Sequence, residues 1–377
     1  MTIEKVKGFR DFTGEEAEKL SEIRKIIVKT FEKYGFEPAE TPIIEYEDFV
    51  KSGNQNDEAV SDIFKLKDKG KRNLALRYEF TFQLKRLMQN KKLPYRRYQI
   101  GAVFRDEPTR ENRLRQFTQA DADVVNSTIK DEAEILAMTN EILKNLGLET
   151  IVLINNRKLL NEIRDDLKIK KDGEQILREI DKYDKLPEKE IEKNLRKYKA
   201  EKLLSMLKKG ERYFSKFSGY REIISLREYC KLYGLKVLFS PTIVRGLSYY
   251  NGTVFEIKTK GVKETLVAGG SYIFNGIQCT GISLGLERLL PLVKIKDKKE
   301  KYLVISLNQD KEAIKIAQKL REKGKSVIIY YGKPSKALEY ANSSFISNAI
   351  FVGEKEIKSK KFKVKNLKSG KESALKI

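Results

Sequence analysis

Apolar residues recur at helical spacing early in the chain. Leu20, Ile23, Ile27, Phe31 and Tyr34 share one face of a predicted helix that Gly35 ends. Thr13 and Glu16 stand ahead of it at the spacing of a reciprocal capping box. The pattern then shortens. "AETPIIEYEDF" reads as extended chain around Pro42. "DIFKLKDKGKRNLALRYEF" reads as a hairpin, two alternating runs around a Lys/Gly/Asn turn. "TFQLKRLMQN" predicts a short helix. "YRRYQIGAVFRDE" and "LRQFTQADADVVN" predict strands flanking a polar loop, "PTRENR". Helices alternating with hairpin-linked strands predict an antiparallel α+β sheet rather than a doubly wound one.

After "ETIVLINN" the pattern changes. Residues 158–225 are mostly charged and helical, and read as a helical insertion. From about residue 226 strands resume with "LKVLFSPTIV", "VRGLSYYNGTVFEI" and "ETLVAGGSYIF"; "GISLGLERLLPLV" begins as a strand and continues as a helix. The lysine run "KIKDKKEK" (294–301) is a linker candidate. Beyond it, "YLVISL", a helix from Lys311 to Lys323 stopped by Gly324, "SVIIYYG", a further helix and "AIFVG" alternate β-α-β-α-β. That predicts a small α/β domain with a parallel sheet. The expected divisions are 1–157 and 226–297 as two parts of one domain, 158–225 as its insertion, and 302–377 as a separate domain.

Composition narrows the classes. The chain has 377 residues, enough for two or three cores, and a hydrophobic fraction of 40% suits a soluble globular protein. No apolar run approaches the roughly 20 residues that span a bilayer. "MTIEKVKGFRDF" has no signal-peptide core, so a cytoplasmic location and no membrane partner are expected. Histidine is absent, and the only cysteines are Cys230 and Cys279. They cannot build a disulfide framework or complete a tetrahedral zinc site, so no protein-held metal is expected. The net charge of +23 suits either a polyanionic partner or a lysine-rich surface. Its distribution separates these: residues 301–377 hold 18 Lys/Arg against 7 Asp/Glu, which points to a nucleic-acid-binding module.

Three arginines bear chemistry by context. Arg105 follows "QIGAVF", Arg245 follows "TIV", and Arg288 sits in "GLERLL" just past glycines. An arginine where a strand leaves the core is costly unless an anion or carboxylate meets it. Its planar fork suits phosphate and carboxylate. Structural ion pairs with Glu79, Glu107, Asp123 or Glu256 are the alternative.

"LRYEFTFQLKR", "YQIGAVFRDE…RLRQFTQADADVV", "IVRGLSYYNGTVFE", "VAGGSY" and "GISLGLERLL" resemble, in this order, the motifs of histidyl-tRNA synthetases, which are class II aminoacyl-tRNA synthetases. "GFRDF" and Pro42 in "ETPIIE" are similar to that family's N-terminal region and first class motif. The resemblance implies the class II antiparallel catalytic sheet and a C-terminal anticodon-binding domain. It implies activation of histidine by ATP with Mg²⁺, transfer to tRNA(His), and a homodimer. Arg245 would meet the substrate carboxylate and the α-phosphate, Arg105 the α-phosphate, and Arg288 the γ-phosphate. Glu107 and Phe117 would meet adenine, Phe117 by stacking. Glu79, Thr81 and Gln119 would take the α-amino group, and Asp123 the imidazole N–H. Tyr249 and Tyr250 would line the imidazole pocket, although aromatic strand packing is their ordinary use. Gly269 and Gly270 would allow close backbone approach to substrate, or form a tight turn. Arg110 and Arg113 would approach the tRNA acceptor end.

This chain departs from the family pattern in places. Ser248 stands where the family usually has aspartate, Ser271 where it usually has arginine, and Ile273 where aspartate is usual. Glu79 is the form usual in bacteria. The first two departures are expected beside the substrate pocket. The competing reading is a non-charging paralogue, the regulatory subunit of ATP phosphoribosyltransferase; the family arginines and the basic C-terminal domain argue against it. A histidine-charging enzyme free of histidine could also be made under histidine starvation, unless codon bias alone explains the absence.

Overall fold

The computed structural model describes residues 3–51, 62–109, 113–169, 171–245, 249–294 and 300–375. The chain divides into Met1–Lys294 and Ile295–Ile377.

The larger unit begins with α1 (Gly14–Lys33), whose Ile23, Ile27 and Phe31 are buried as their spacing predicts. Its capping box does not form. Thr13 makes no side-chain cap, and Arg10 takes the Glu16 carboxylate at 2.6 and 2.8 Å. Strands β1 (Glu37–Pro38) and β2 (Ile44–Tyr46) follow, then a short α2 (Glu47–Lys51) that alternation did not predict. The hairpin β3 (Lys65–Lys67) and β4 (Asn73–Leu76) joins β2 in a small three-stranded sheet. After α3 (Thr81–Leu87) come the long strands β5 (Tyr95–Phe104) and β6 (Gln116–Val125).

A second unpredicted element, α4 (Ile129–Asn145), lies next, with Ile135, Leu136, Met138 and Ile142 fully buried. β7 (Thr150–Asn156) leads into α5 (Arg157–Asp166), α6 (Gly173–Ile180), α7 (Glu188–Arg196), α8 (Glu201–Leu207) and α9 (Ser218–Leu232). Helix thus continues past residue 226, where strand was expected; Tyr220, Ile223, Leu226 and Cys230 bury one side of α9 at helical spacing. β8 is only Val237–Phe239 of the expected "LKVLFSPTIV". β9 (Tyr250–Thr259), β10 (Val267–Phe274), β11 (Ile277–Gly285) and the single turn α10 (Leu286–Leu289) complete the unit.

The main sheet runs β1-β5-β6-β11-β10-β9-β7-β8. Its five central pairings are antiparallel, and only the β1 and β8 edges pair parallel. Successive side chains alternate between its faces. On one face Tyr98 packs against Phe31 of α1 with ring centroids 5.3 Å apart, and Ala120, Ala122 and Val124 are buried. Each buried Ile or Leu of α1 and α4 contributes about 1.5–3 kcal/mol by leaving water. The other face carries Arg97, Gln99, Gln119, Asp121 and Asp123, all buried. A polar face can be buried only where its groups meet partners or ligands.

The smaller unit holds β12 (Lys301–Ser306), α11 (Asp310–Glu322), β13 (Ser326–Tyr331), α12 (Pro334–Ser343), β14 (Asn348–Val352) and α13 (Glu354–Ser359). The three strands pair parallel in the order β13-β12-β14, as the alternation predicts. β15 (Lys363–Asn366) and β16 (Glu372–Ala374) extend the sheet antiparallel; their short, mostly polar runs carry too little apolar signal to be read as strands.

Candidate active site

The polar face has two ends. At the upper end, Arg105, Glu107, Arg113, Leu114, Phe117, Gly285, Glu287 and Arg288 line a cleft that opens to solvent. β5 and β6 bring Arg105 and Phe117 together, and the turn from β11 into α10 delivers Arg288. The Arg105 guanidinium lies 4.3 Å from the Tyr78 ring centroid and 5.1 Å from that of Phe117. It donates to Gln119 Oε1 at 3.2 Å. Tyr78, missed in the sequence, floors this corner. Arg288 donates to the Thr265 carbonyl at 3.2 Å. Both Glu287 carboxylate oxygens accept the Thr118 backbone N–H at 2.9 Å.

Arg245 comes from another direction. Asn155 of β7 donates to the Pro241 and Ile243 carbonyls at 2.9 and 2.7 Å and so fixes the approach to it. Arg245 adopts φ +61°, a left-handed conformation that side chains rarely take. Its Nη1 meets Glu256 at 3.1 Å, and its Nε is buried without a hydrogen-bond partner among the described residues. Arg288 senses the other arginines. Burial, followed by the positive charges of Arg105, Arg113 and Arg245, pushes Arg288 below the usual arginine range, with Glu107 opposing. Such repulsion at Arg288 is what an anion would relieve.

At the lower end the sign reverses. Glu79 precedes α3, and Asp121 and Asp123 stand on β6. Burial, then the neighbouring Asp121, lifts the Glu79 carboxyl to about 8, with Arg105 opposing. Burial lifts Asp121 to about 7, with Arg97 opposing and Asp123 adding to the rise. Burial also raises Asp123, while Arg97 and the Tyr272 hydroxyl hold it back. Arg97 faces Asp123 across the β5/β6 ladder with Nη2 2.8 Å from Oδ2, and Tyr272 donates to Oδ1 at 2.5 Å. Asp123, expected to meet the imidazole N–H, is therefore ion-paired with Arg97 and bonded by Tyr272 through Oδ1, while Oδ2 has no hydrogen-bond partner among the described residues. Thr81 caps this corner beside Glu79, whose Oε1 has no partner among the described residues.

Tyr249 and Tyr250 have ring centroids 4.8 Å apart, and Tyr250 belongs to a core cluster with Leu84, Met88, Tyr272 and Phe274. Gly269 and Gly270 form no tight turn; they lie within β10. A Cβ at either would stand 2.1 Å from the Gly281 carbonyl or 2.4 Å from that of Thr253, so close strand packing requires both glycines. Arg113 does not stand free in its loop but pairs with Glu107 on the cleft wall. Ser271 corrects an expectation. Alternation turns it to the helical side of the sheet, where its hydroxyl bonds Glu132 of α4, and it does not face the pocket. Arg110 and Ser248 lie outside the described residues. Arg97, Asp121 and Tyr272 were missed, although "QADAD" shows the period-two polar signal that marks Asp121.

A histidyl-tRNA synthetase family model matches residues 8–289, and an anticodon-binding-domain model matches residues 301–377. The chain belongs to the histidyl-tRNA synthetase family. A histidine–tRNA ligase 1 of Bacillus cereus is 31% identical over 413 residues, spanning 99% of this chain and 95% of that one. The histidine–tRNA ligase of Clostridium acetobutylicum is 31% identical, spanning 98% and 97%. The crystal structure of a Nostoc histidyl-tRNA synthetase shares the fold with a TM-score of 0.86 at 24% identity, covering 100% of this chain and 97% of that one. A Bacillus halodurans structure described as an ATP phosphoribosyltransferase regulatory subunit/histidyl-tRNA synthetase shares it at 0.79 and 22%, covering 93% and 98%. Histidyl-tRNA synthetases are class II aminoacyl-tRNA synthetases that use ATP and a divalent metal. No helix among the described residues is long and apolar enough to cross a membrane.

Proposed function

We propose that this chain activates histidine with ATP to histidyl-adenylate and pyrophosphate, and transfers the histidyl group to tRNA(His). The observation that carries the reading is that Arg105 and Arg288 line one cleft with Phe117, while Arg245 stands near enough for its charge, with that of Arg105, to depress the Arg288 guanidinium. In this reading Arg245 and Arg105 neutralise the α-phosphate as the histidine carboxylate attacks phosphorus and pyrophosphate departs. Arg288 holds the γ-phosphate, and Glu107 and Phe117 seat adenine. The nucleophile is already ionised, so catalysis is positioning and charge stabilisation, and the absence of histidine side chains is no obstacle. Glu79, Thr81 and Gln119 take the α-amino group, and Asp123 the ring N–H in a pocket walled by Tyr249, Tyr250, Gly269 and Gly270. Two carboxylates, Glu107 and Glu287, line the cleft, which suits an Mg²⁺ held mainly by phosphate oxygens and water. That ion would supply further charge neutralisation at the phosphates.

Residues 158–225 act as the insertion, and 302–377, rich in Lys/Arg, read the anticodon. Arg110 and Arg113 approach the acceptor end. Exposed Ile43, Ile44 and Tyr46 supply an apolar surface for the homodimer. The chain works in the cytoplasm. Histidine-dependent ATP–pyrophosphate exchange tests the reading, and silence with pure, folded protein overturns it. The rival, a non-charging regulatory subunit of ATP phosphoribosyltransferase, draws on the internally engaged Asp123 and the Bacillus halodurans likeness; that same silence, with stimulation of the transferase, selects it.

A further inference from the structure

Binding histidine does not in itself call for a buried arginine, yet Arg97 is 0% exposed. It lies opposite Asp123 and donates to the Phe80 carbonyl at 3.1 Å. Its Nε and Nη1 are buried without a hydrogen-bond partner among the described residues. We propose that Arg97, acting through Asp123, makes the side-chain pocket select the uncharged imidazole ring over imidazolium. The inference deepens the function proposed above and rests on its claim that Asp123 meets the ring.

Charge and donor count both favour the neutral ring. Arg97 stands 2.8 Å from Asp123 Oδ2 as an ion pair, and Oδ2 has no hydrogen-bond partner among the described residues, so Asp123 offers a ring N–H an acceptor whose charge the guanidinium opposes. An imidazolium would bring a second cation beside a desolvated guanidinium, where like charges repel strongly. It would also bring two N–H donors and no acceptor beside Arg97, whose Nε and Nη1 already lack acceptors. Neutral imidazole brings one of each, so it can satisfy both sides of the pair. The other groups around this pair are Glu79 ahead of α3, Tyr95 on β5, Asp121 on β6, Tyr250 on β9, Tyr272 on β10 and Cys279 on β11. Several of them titrate, so a pH profile for histidine alone would mix their effects with the ring's.

A ratio removes them. Triazolylalanine has the same α-amino and carboxylate groups, but its ring stays uncharged from about pH 5.5 to about pH 8.5. The measurement is KM in ATP–pyrophosphate exchange for histidine divided by that for triazolylalanine. For the wild-type protein the ratio is expected to be flat above about pH 6.5 and to rise about tenfold per pH unit below it. A ratio flat below about pH 6.5 and rising above it means that imidazolium binds, and overturns the inference while leaving the proposed function standing. Exchange with neither amino acid at any pH removes the function and the inference together. Arg97→Met sharpens the result at about pH 8. A proton can then settle between Asp123 and the more basic ring, so preference shifts toward histidine by tenfold or more, and Arg97→Lys restores the wild-type preference. A purely structural Arg97 would weaken both substrates equally, which also overturns the inference. If Arg97→Met fails to fold, the wild-type ratio decides alone.

Discussion

The upper cleft and the lower pocket share one sheet face but solve opposite problems. The cleft gathers guanidinium groups near solvent with few acids to balance them, so its free state is electrostatically uncomfortable and an anion is welcome. The pocket buries Glu79, Asp121 and Asp123 around Arg97, so its free state holds protons that a cationic ammonium could displace. Function follows charge surplus and burial together: the open end can exchange a large nucleotide, while the closed end can afford discrimination. Removing one member should therefore cost stability in the pocket and rate in the cleft.

The largest effect is expected at Asp123. Asp123→Ala leaves Arg97 fully buried without its carboxylate, which costs about 3–5 kcal/mol of folding stability. Urea unfolding measures it, and a loss under 1 kcal/mol would mean that the pair is not desolvated. In the cleft, Arg105→Ala should leave unfolding nearly unchanged and lower ATP–pyrophosphate exchange about 10²–10³-fold. A variant that instead unfolds easily and keeps its rate would erase the contrast between the two ends.

Behind the sheet, Glu132 gives a smaller test with a defined sign. Burial lifts its carboxyl from 4.5 to about 7, against the Ser271 and Thr253 hydroxyls. Between these values the folded protein holds a proton that the unfolded chain has released. Stability from this group is therefore fully present below about pH 4.5 and falls as pH rises through about 7. Glu132→Gln keeps the shape without the charge. It should match the wild type at about pH 4 and exceed it by about 1–3 kcal/mol at about pH 8. Equal stability at both pH values would show that Glu132 is ionised in the fold.

Much of this arrangement was legible before any coordinates. The family motifs are short and local, so Arg105, Phe117, Arg245 and Arg288 could be named from their strands and turns. The C-terminal β-α-β-α-β order was legible for the same reason, since each element carries its own period. Contacts that cross elements were not legible. Glu16 has a capping spacing, yet Arg10 claims its carboxylate. α4 escaped because it is apolar on several sides, with Ala133, Leu136, Met138 and Ile142 all buried, so no single stripe stood out. Arg97 was passed over because nothing in "YRRYQIG" says which of two adjacent arginines points inward. Register decides it, by setting Arg97 opposite Asp123, while Arg96 pairs with Asp131 and Glu134 of α4.

Arg113 offers the smallest effect and the finest test. Its side chain is 46% exposed, and its partner Glu107 lines the cleft. A half-exposed pair contributes about 1 kcal/mol or less, because water screens it and long side chains lose entropy when held. If Arg113 belongs mainly to the cleft, Arg113→Ala should raise KM for ATP by up to about fivefold and change tRNA charging to the same extent. If it serves the acceptor end of tRNA, exchange should stay within about twofold of wild type while KM for tRNA rises more and depends steeply on salt. Measuring both steps on one preparation tells which side of the cleft wall this arginine serves, because an adenylate-forming step contains no tRNA.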